Sequence, residues 1–218
     1  LQTDDGRGHA CEETGGLGEG DEGRVGERSS GRRVVMTLPD GYSDVPAGKI
    51  ASVVTHLEMT ARPALRPETA GALTLCKIET PPLDWFSRLQ MADADLAAVL
   101  HSPLVDVYAL VSEGSDEGLL ELDFRTPGEC ELAFFGVSAK LTGGSAGRWM
   151  MNRAIEFAWS RSIRRFWVHT CTLDHPAALG FYQRSGFRPF RRQIEIEDDP
   201  RLSGLLPRHV AGHVPIIE

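Results

Sequence analysis

Two stretches decide how this sequence folds: Val137 to Met151, VSAKLTGGSAGRWMM, and Phe166 to Phe187, FWVHTCTLDHPAALGFYQRSGF. The first ends an apolar strand, crosses a Gly-rich loop and enters a helix. Along that helix Gly147, Met150, Met151, Ala154, Ile155 and Ala158 recur at the spacing of one buried stripe, while Arg148, Asn152, Arg153 and Glu156 fall elsewhere. The second stretch opens on a strand, Phe166 to Cys171, and passes through a turn into a short helix that Pro176 opens and Gly186 closes. Strand, helix, strand implies a right-handed crossover and a parallel pair. Backbone N–H groups in a loop that points at a helix N-terminus suit a phosphate. Together the two stretches predict a cofactor held by its phosphates, with a reacting group placed between neighbouring strands.

Working outward, Glu131 to Val137 is nearly all apolar, as a central strand covered on both faces is. Val105 to Val111 and Leu119 to Arg125 alternate, and the links Glu113-Gly114-Ser115-Asp116 and Pro127-Gly128 are hairpin turns. The three strands form an antiparallel meander. Glu121 and Asp123 lie opposite Leu120, Leu122 and Phe124, and read as the polar face of a half-exposed strand or as a site for a cationic acceptor. Ile50 to Met59 alternates as a strand that Pro63 and Pro67 stop. Glu68 to Ile78 reads as a short helix. Trp85, Phe86, Leu89 and Met91 form an apolar cluster, and Asp93 caps a helix over 95–101. Phe187 to Ile196 is a last strand, and 198–218 an irregular tail. The fold class is therefore α/β (α+β): a mixed, mostly antiparallel central sheet flanked by helices.

Of 218 residues 41% are apolar, enough for one sizeable core. The net charge of −8 argues against a nucleic-acid footprint. Residues 1–33 are rich in Gly, Glu and Asp and read as a disordered acidic leader; 34–218 read as one domain. Cys11, Cys76, Cys130 and Cys171 match neither a zinc ribbon nor a disulfide framework, which favours a reducing, cytoplasmic compartment. No apolar stretch is long enough to span a membrane. His209 and His213 have the spacing of a zinc helix, but Val210, Gly212 and Pro215 spoil the motif, so no metal is expected. His169, Cys171, Asp174 and His175 read as core and turn residues, with His169 near a strand end beside the site. Trp149, with Trp85 and Phe86, reads as core.

This order of elements, with its loop and helix motifs, resembles the GNAT-type N-acetyltransferase superfamily over roughly residues 50–196. The family's loop reads Arg/Gln-x-x-Gly-x-Gly/Ala. Here Thr142 stands at or beside the Arg/Gln position, Gly143 and Gly147 on glycine positions, and Ser145 in place of another glycine. The later signature, Asn-x-x-Ala-x-x-x-Tyr followed by Gly-Phe, maps onto His175, Ala178, Tyr182, Gly186 and Phe187, with His175 where Asn is common.

The resemblance implies a GNAT-like fold and acetyl-CoA as donor. Its pyrophosphate would be held along Lys140, Thr142, Gly143, Gly144, Ser145, Ala146, Gly147 and Arg148, with His175 and Ala178 nearby. A helix dipole adds about 0.3–1 kcal/mol to such a site. The main-chain N–H of Phe135, Gly136 or Val137 would meet the acetyl carbonyl, and Gly136 would admit the pantetheine chain. Tyr182 is the implied general acid toward the thiolate, and Glu131 the implied general base, as in histone-modifying members. The amine would attack directly, leaving Cys171 a bystander. Residues 68–101 would shape the acceptor pocket. The acceptor is a small-molecule or protein amine, with no nucleic acid or membrane, and a homodimer stands among the expected assemblies. The alternative is a CoA-binding or interaction module without catalysis.

Overall fold

The alternating apolar segments assemble one mixed sheet. The computed structural model describes residues 40–69, 71–78 and 93–218, and residues 45–218 form one unit. Its strands are β1 (Lys49–Met59), β2 (Leu73–Lys77), β3 (Val105–Ser112), β4 (Ser115–Asp123), β5 (Glu129–Val137), β6 (Arg165–Cys171) and β7 (Arg188–Asp198). Its helices are α1 (Asp93–Leu100), α2 (Ala146–Ser160) and α3 (Ala178–Arg184). The strand order is β2-β3-β4-β5-β6-β1-β7, and β5–β6 is the parallel pair among antiparallel neighbours. The meander is as expected: Glu113 and Gly114 both take positive φ, the geometry of a tight two-residue hairpin.

The stripe on α2 packs Met150, Met151, Ala154, Ile155 and Ala158 onto Leu120, Leu122, Leu132, Phe166 and Val168, with Tyr182 and Phe187 in the same cluster. On the opposite face Leu96, Val99 and Leu100 of α1 meet Val105 and Val107. Because cross-strand partners share a face, Glu121 opposite Val107 and Asp123 opposite Val105 lie on the side that α1 covers. Both carboxylates are buried, which corrects the reading of a half-exposed polar face. Asp123 is held by Arg125, whose Nε lies 2.8 Å from Oδ2.

The segment read as a helix over 68–78 instead contains the strand β2. Its residues pair with the edge of β3 from Leu73–Ser112 to Lys77–Tyr108, and this pairing overrides a weak helical pattern that holds the β-branched Thr74. α3 starts at Ala178 rather than at Pro176. His175 accepts the Ala177 N–H at Nδ1 (3.1 Å) and the Ala178 N–H at its carbonyl (2.8 Å), so a turn precedes the helix. Asn152, placed off the buried stripe by its spacing, is buried. Its Nδ2 donates to Arg66 O (2.8 Å) and to the Glu68 carboxylate, which also binds Arg153. These bonds fasten the chain around Arg66–Glu68 across α2.

The irregular tail is tied down. Arg201 donates through Nε to Asp199 Oδ1 (2.9 Å) and through Nη1 to the carbonyls of Val210, Ala211 and Val214. Gly48 N–H donates to Ile217 O (2.8 Å). Cys130 and Cys171 are free thiols, whereas Cys76 is disulfide-bonded, against the expectation from spacing. The leader 1–33 and the cluster of Trp85, Phe86, Leu89 and Met91 also lie outside the described residues.

β4 and β5 approach closely at Gly118, where an added Cβ would sit 2.7 Å from Gly136 O. The Gly118→Ala variant is expected to destabilise the fold by about 1–3 kcal/mol, the usual cost of overpacking, read as a lower midpoint in urea denaturation.

Candidate active site

β5 and β6 pair only through Glu129–Arg165, Cys130–Phe166 and Glu131–Trp167. Beyond that point β5 stays on β4, β6 stays on β1 as far as Cys171, and the two strands part. The cause lies in the β4–β5 ladder. Glu121 pairs with Phe134 and Leu122 with Leu132, so Ala133 is an extra residue, and a bulge bends its strand. The bend falls two residues after the last β5–β6 pair.

The free side of β5 can be assigned atom by atom. Ser138 N–H donates to Glu117 O (2.8 Å) on the β4 side. Main-chain groups alternate along a strand, so Gly136 also faces β4, as the closeness of its carbonyl to Gly118 requires. Phe135 and Val137 therefore turn their N–H and C=O groups toward the gap. This narrows the three candidate donors to two. A Cβ on Gly136 would meet nothing within 4 Å.

The loop beyond β5 spends some amides on itself. Leu141 and Thr142 N–H bond to Ser138 O, Gly144 N–H bonds to Leu141 O, and the Thr142 hydroxyl donates to Ser138 O (3.0 Å). The amides of Ala146, Gly147 and Arg148 open α2, whose first helical bond is Trp149 N–H to Ser145 O. Ser145 makes no side-chain cap, and the first turn holds no acidic residue. Gly143, at φ 81, faces open space. An uncapped, unopposed N-terminus beside a glycine is the donor set that an anionic group needs, so these residues fit a pyrophosphate. Lys140 is engaged elsewhere, with Nζ 3.3 Å from Glu117 and 3.4 Å from Glu113. Arg148 Nη1 donates to Pro67 O (3.3 Å). The His175 ring is committed at Nδ1 to Ala177.

α3 brings Tyr182 against the gap. Its ring centroid lies 6.3 Å from that of Phe135, with Phe181 at 5.7 Å and Phe187 at 6.0 Å. Burial first, and then the Asp174 carboxylate, push its phenol above the ordinary tyrosine range. Asp174 is fixed by Thr170 Oγ1 (2.6 Å) and Cys171 N–H (2.8 Å). Burial also raises the Cys171 thiol, which keeps it protonated.

On the opposite face of the sheet, Glu131 Oε1 lies 3.4 Å from His169 Nδ1. The hydrogen bond to Glu131 raises the His169 pKa against the opposing effect of burial, and the charges of Asp174 and Glu195 add to the rise. Around this pair stand His56, 5.8 Å from His169 between ring centroids, Trp167 at 6.2 Å from His169, and Phe190 at 6.0 Å from His56. Sequence reasoning gave Glu131 and placed His169 near the site, but missed His56, Trp167 and Phe190. No local signal could have found them, because the pairing of β1 with both β6 and β7 is what gathers them. Among the described residues no group of His, Cys, Asp and Glu is arranged for a metal, and His213 Nε2 instead meets Thr172 O (3.0 Å).

Since the native state holds His169 above its unfolded value, the pair stabilises the fold fully below an ordinary histidine pKa of about 6.5. That contribution fades as pH rises through the native pKa. The Glu131→Gln variant is expected to lower the His169 pKa in an NMR titration and to flatten this part of the pH–stability curve.

Residues 105–187, running from β3 to the end of the α3 corner, match the family model described as Acetyltransferase (GNAT) family. No curated protein matches the chain. Among solved structures, a functionally unknown conserved protein from Staphylococcus epidermidis ATCC 12228 is similar at 11% identity and a TM-score of 0.48, covering 70% of this chain; the chain spans 64% of that protein's length. An IAA acetyltransferase from Bacillus cereus ATCC 14579 is similar at 22% identity and 0.46, over 55% of this chain and 79% of that one. A GNAT family acetyltransferase from Elizabethkingia anophelis with acetyl-CoA bound is similar at 18% identity and 0.47, over 56% and 80%. At these identities and scores none of them speaks to the substrate of this chain. The matched residues 105–187 are the stretch that bears the parted strands, the glycine loop and Tyr182, and over them the chain is similar to the GNAT acetyltransferase family.

Proposed function

We propose that the chain is an N-acetyltransferase that moves an acetyl group from acetyl-CoA to an amine of a small-molecule or protein acceptor by direct attack. The observation that carries this reading is the parting of β5 from β6 beside an uncapped helix N-terminus, with Tyr182 packed on a gap residue. When bound, acetyl-CoA supplies the activated thioester. The amides of Gly143, Ser145, Ala146, Gly147 and Arg148 hold its pyrophosphate. The N–H of Phe135 or Val137 steadies the negative charge that develops on the acyl oxygen.

Acyl transfer moves two protons. A free alkylamine has a pKa of about 10, so the acceptor must shed one before attack. His169 takes it, while Glu131 orients the imidazole and favours its charged form. Glu131, expected as the base itself, acts through His169. Tyr182 gives the other proton to the departing thiolate; its raised pKa keeps it a donor throughout the neutral range. The negative surroundings of His169, together with the rings of His56 and Trp167, favour a cationic amine arriving on that face.

The Tyr182→Phe variant is expected to lower kcat by about 10²–10⁴-fold with little change in acetyl-CoA affinity, measured by release of free CoA thiol across an amine panel. If the unaltered chain binds CoA in calorimetry yet turns over no amine, the non-catalytic module replaces this reading. The Ser145→Asp variant separates anchoring from fold. Its charge should stabilise α2 by about 0.3–1 kcal/mol through the helix dipole while opposing pyrophosphate, so the melting temperature rises as the KM for acetyl-CoA rises.

A further inference from the structure

β7 is the outermost strand of the sheet. It pairs with β1, and no other described strand pairs with its far edge. A long exposed edge is a template for another strand unless something blocks it. Pro189 blocks only the first turnings of this one. Ile194 and Ile196 are 53% and 52% exposed, and Val53, the partner of Ile194 on β1, is 40% exposed. They form an apolar strip along the edge.

Charge is divided along the strand. Arg188, Arg191 and Arg192 fill its first half, and Glu195, Glu197 and Asp198 its second. Asp199 N–H donates to Gly48 O (2.9 Å) on the β1 side. By alternation Glu197 and Glu195 also face β1, while Ile196, Ile194 and Arg192 turn their main-chain groups outward.

We propose that this edge is a homodimer interface, with β7 pairing antiparallel to β7 of a second copy about a two-fold axis at Ile194. In that register Ile194 stands opposite the partner's Ile194 and Arg192 opposite the partner's Ile196. Arg191 stands opposite the partner's Glu197, and Gln193 opposite the partner's Glu195. Symmetry makes each mixed pair twice. A parallel pairing in register would set like charges together, so the strand complements itself only in the antiparallel sense. Glu197 gives independent support. Burial, together with Glu195, Asp198 and Asp199, holds its carboxyl above the usual range, a crowding that an opposing guanidinium relieves. The inference rests on the edge alone and stands apart from the acyl-transfer reading.

Sedimentation equilibrium of the full chain should show a reversible dimer. The Arg191→Glu variant should weaken its dissociation constant by about tenfold or more, and adding Glu197→Arg should restore it. Directly opposed residues that exchange main-chain bonds have Cα atoms about 5.5 Å apart, a disulfide distance. Ile194→Cys should therefore form a symmetric intermolecular disulfide on mild oxidation, located by mass spectrometry, and Glu195→Cys should not. A chain that stays monomeric would overturn the proposal. So would a dimer indifferent to Arg191→Glu in which Ile194→Cys fails to cross-link, and so would a dimer seen only after removal of residues 1–39, which would give the edge to the chain's own N-terminal segment.

Discussion

The incomplete pairing of the two parallel strands is the constraint on which the proposed chemistry depends. A sheet normally satisfies its main chain by zipping from end to end. Here Ala133 breaks the β4–β5 register just past Glu131, and β5 bends away while β6 remains held by β1. The result is a row of main-chain donors and acceptors on Phe135 and Val137 with no described strand opposite them on that side. Such groups are costly if buried dry, and useful if a ligand's own amides and carbonyls complete the ladder.

The elements around the gap share the work of keeping its geometry. α2 starts just beyond the β5 tip, so its open N-terminal amides lie near the free edge. Its far side is clasped by the chain at Arg66–Glu68 through Asn152, Arg153 and Arg148. α3 closes the same face with Phe181 stacked on Phe135, Tyr182 edge-on to it, and Phe187 packed on Phe166. The turn after β6 is fixed by Asp174, whose charge also acts on the tyrosine. One carboxylate thus shapes the backbone and tunes a phenol.

The two faces divide the electrostatics. The phenol of Tyr182, packed on the α3 face, is kept neutral first by burial and then by the charge of Asp174. The imidazole across the sheet is biased toward its charged form by Glu131. Both shifts favour the protonated form, which is neutral for the phenol and cationic for the imidazole.

The sequence by itself determined the strand–loop–helix, the meander, the buried stripe of α2 and the position of Tyr182. These rest on local periods, on glycines and prolines, and on a motif whose parts lie close together along the chain. It misread residues 68–78, where a weak helical pattern yielded to the free edge of β3, and it took Glu121 and Asp123 for a wet face because it could not know that α1 lies over them. Glu131 was legible, but its imidazole partner and the surrounding rings were not. His56, Trp167, His169 and Phe190 come from three strands far apart in sequence, and only the insertion of β1 between β6 and β7 brings them together. Likewise the Gly-rich loop announced open amides, yet which of them stay open, and which main-chain groups of β5 face the gap, followed from a single extra residue in a ladder. Local propensity acts within a few residues and can be read from spacing; strand neighbours and register are settled by burial summed over the whole sheet, which no window of sequence contains.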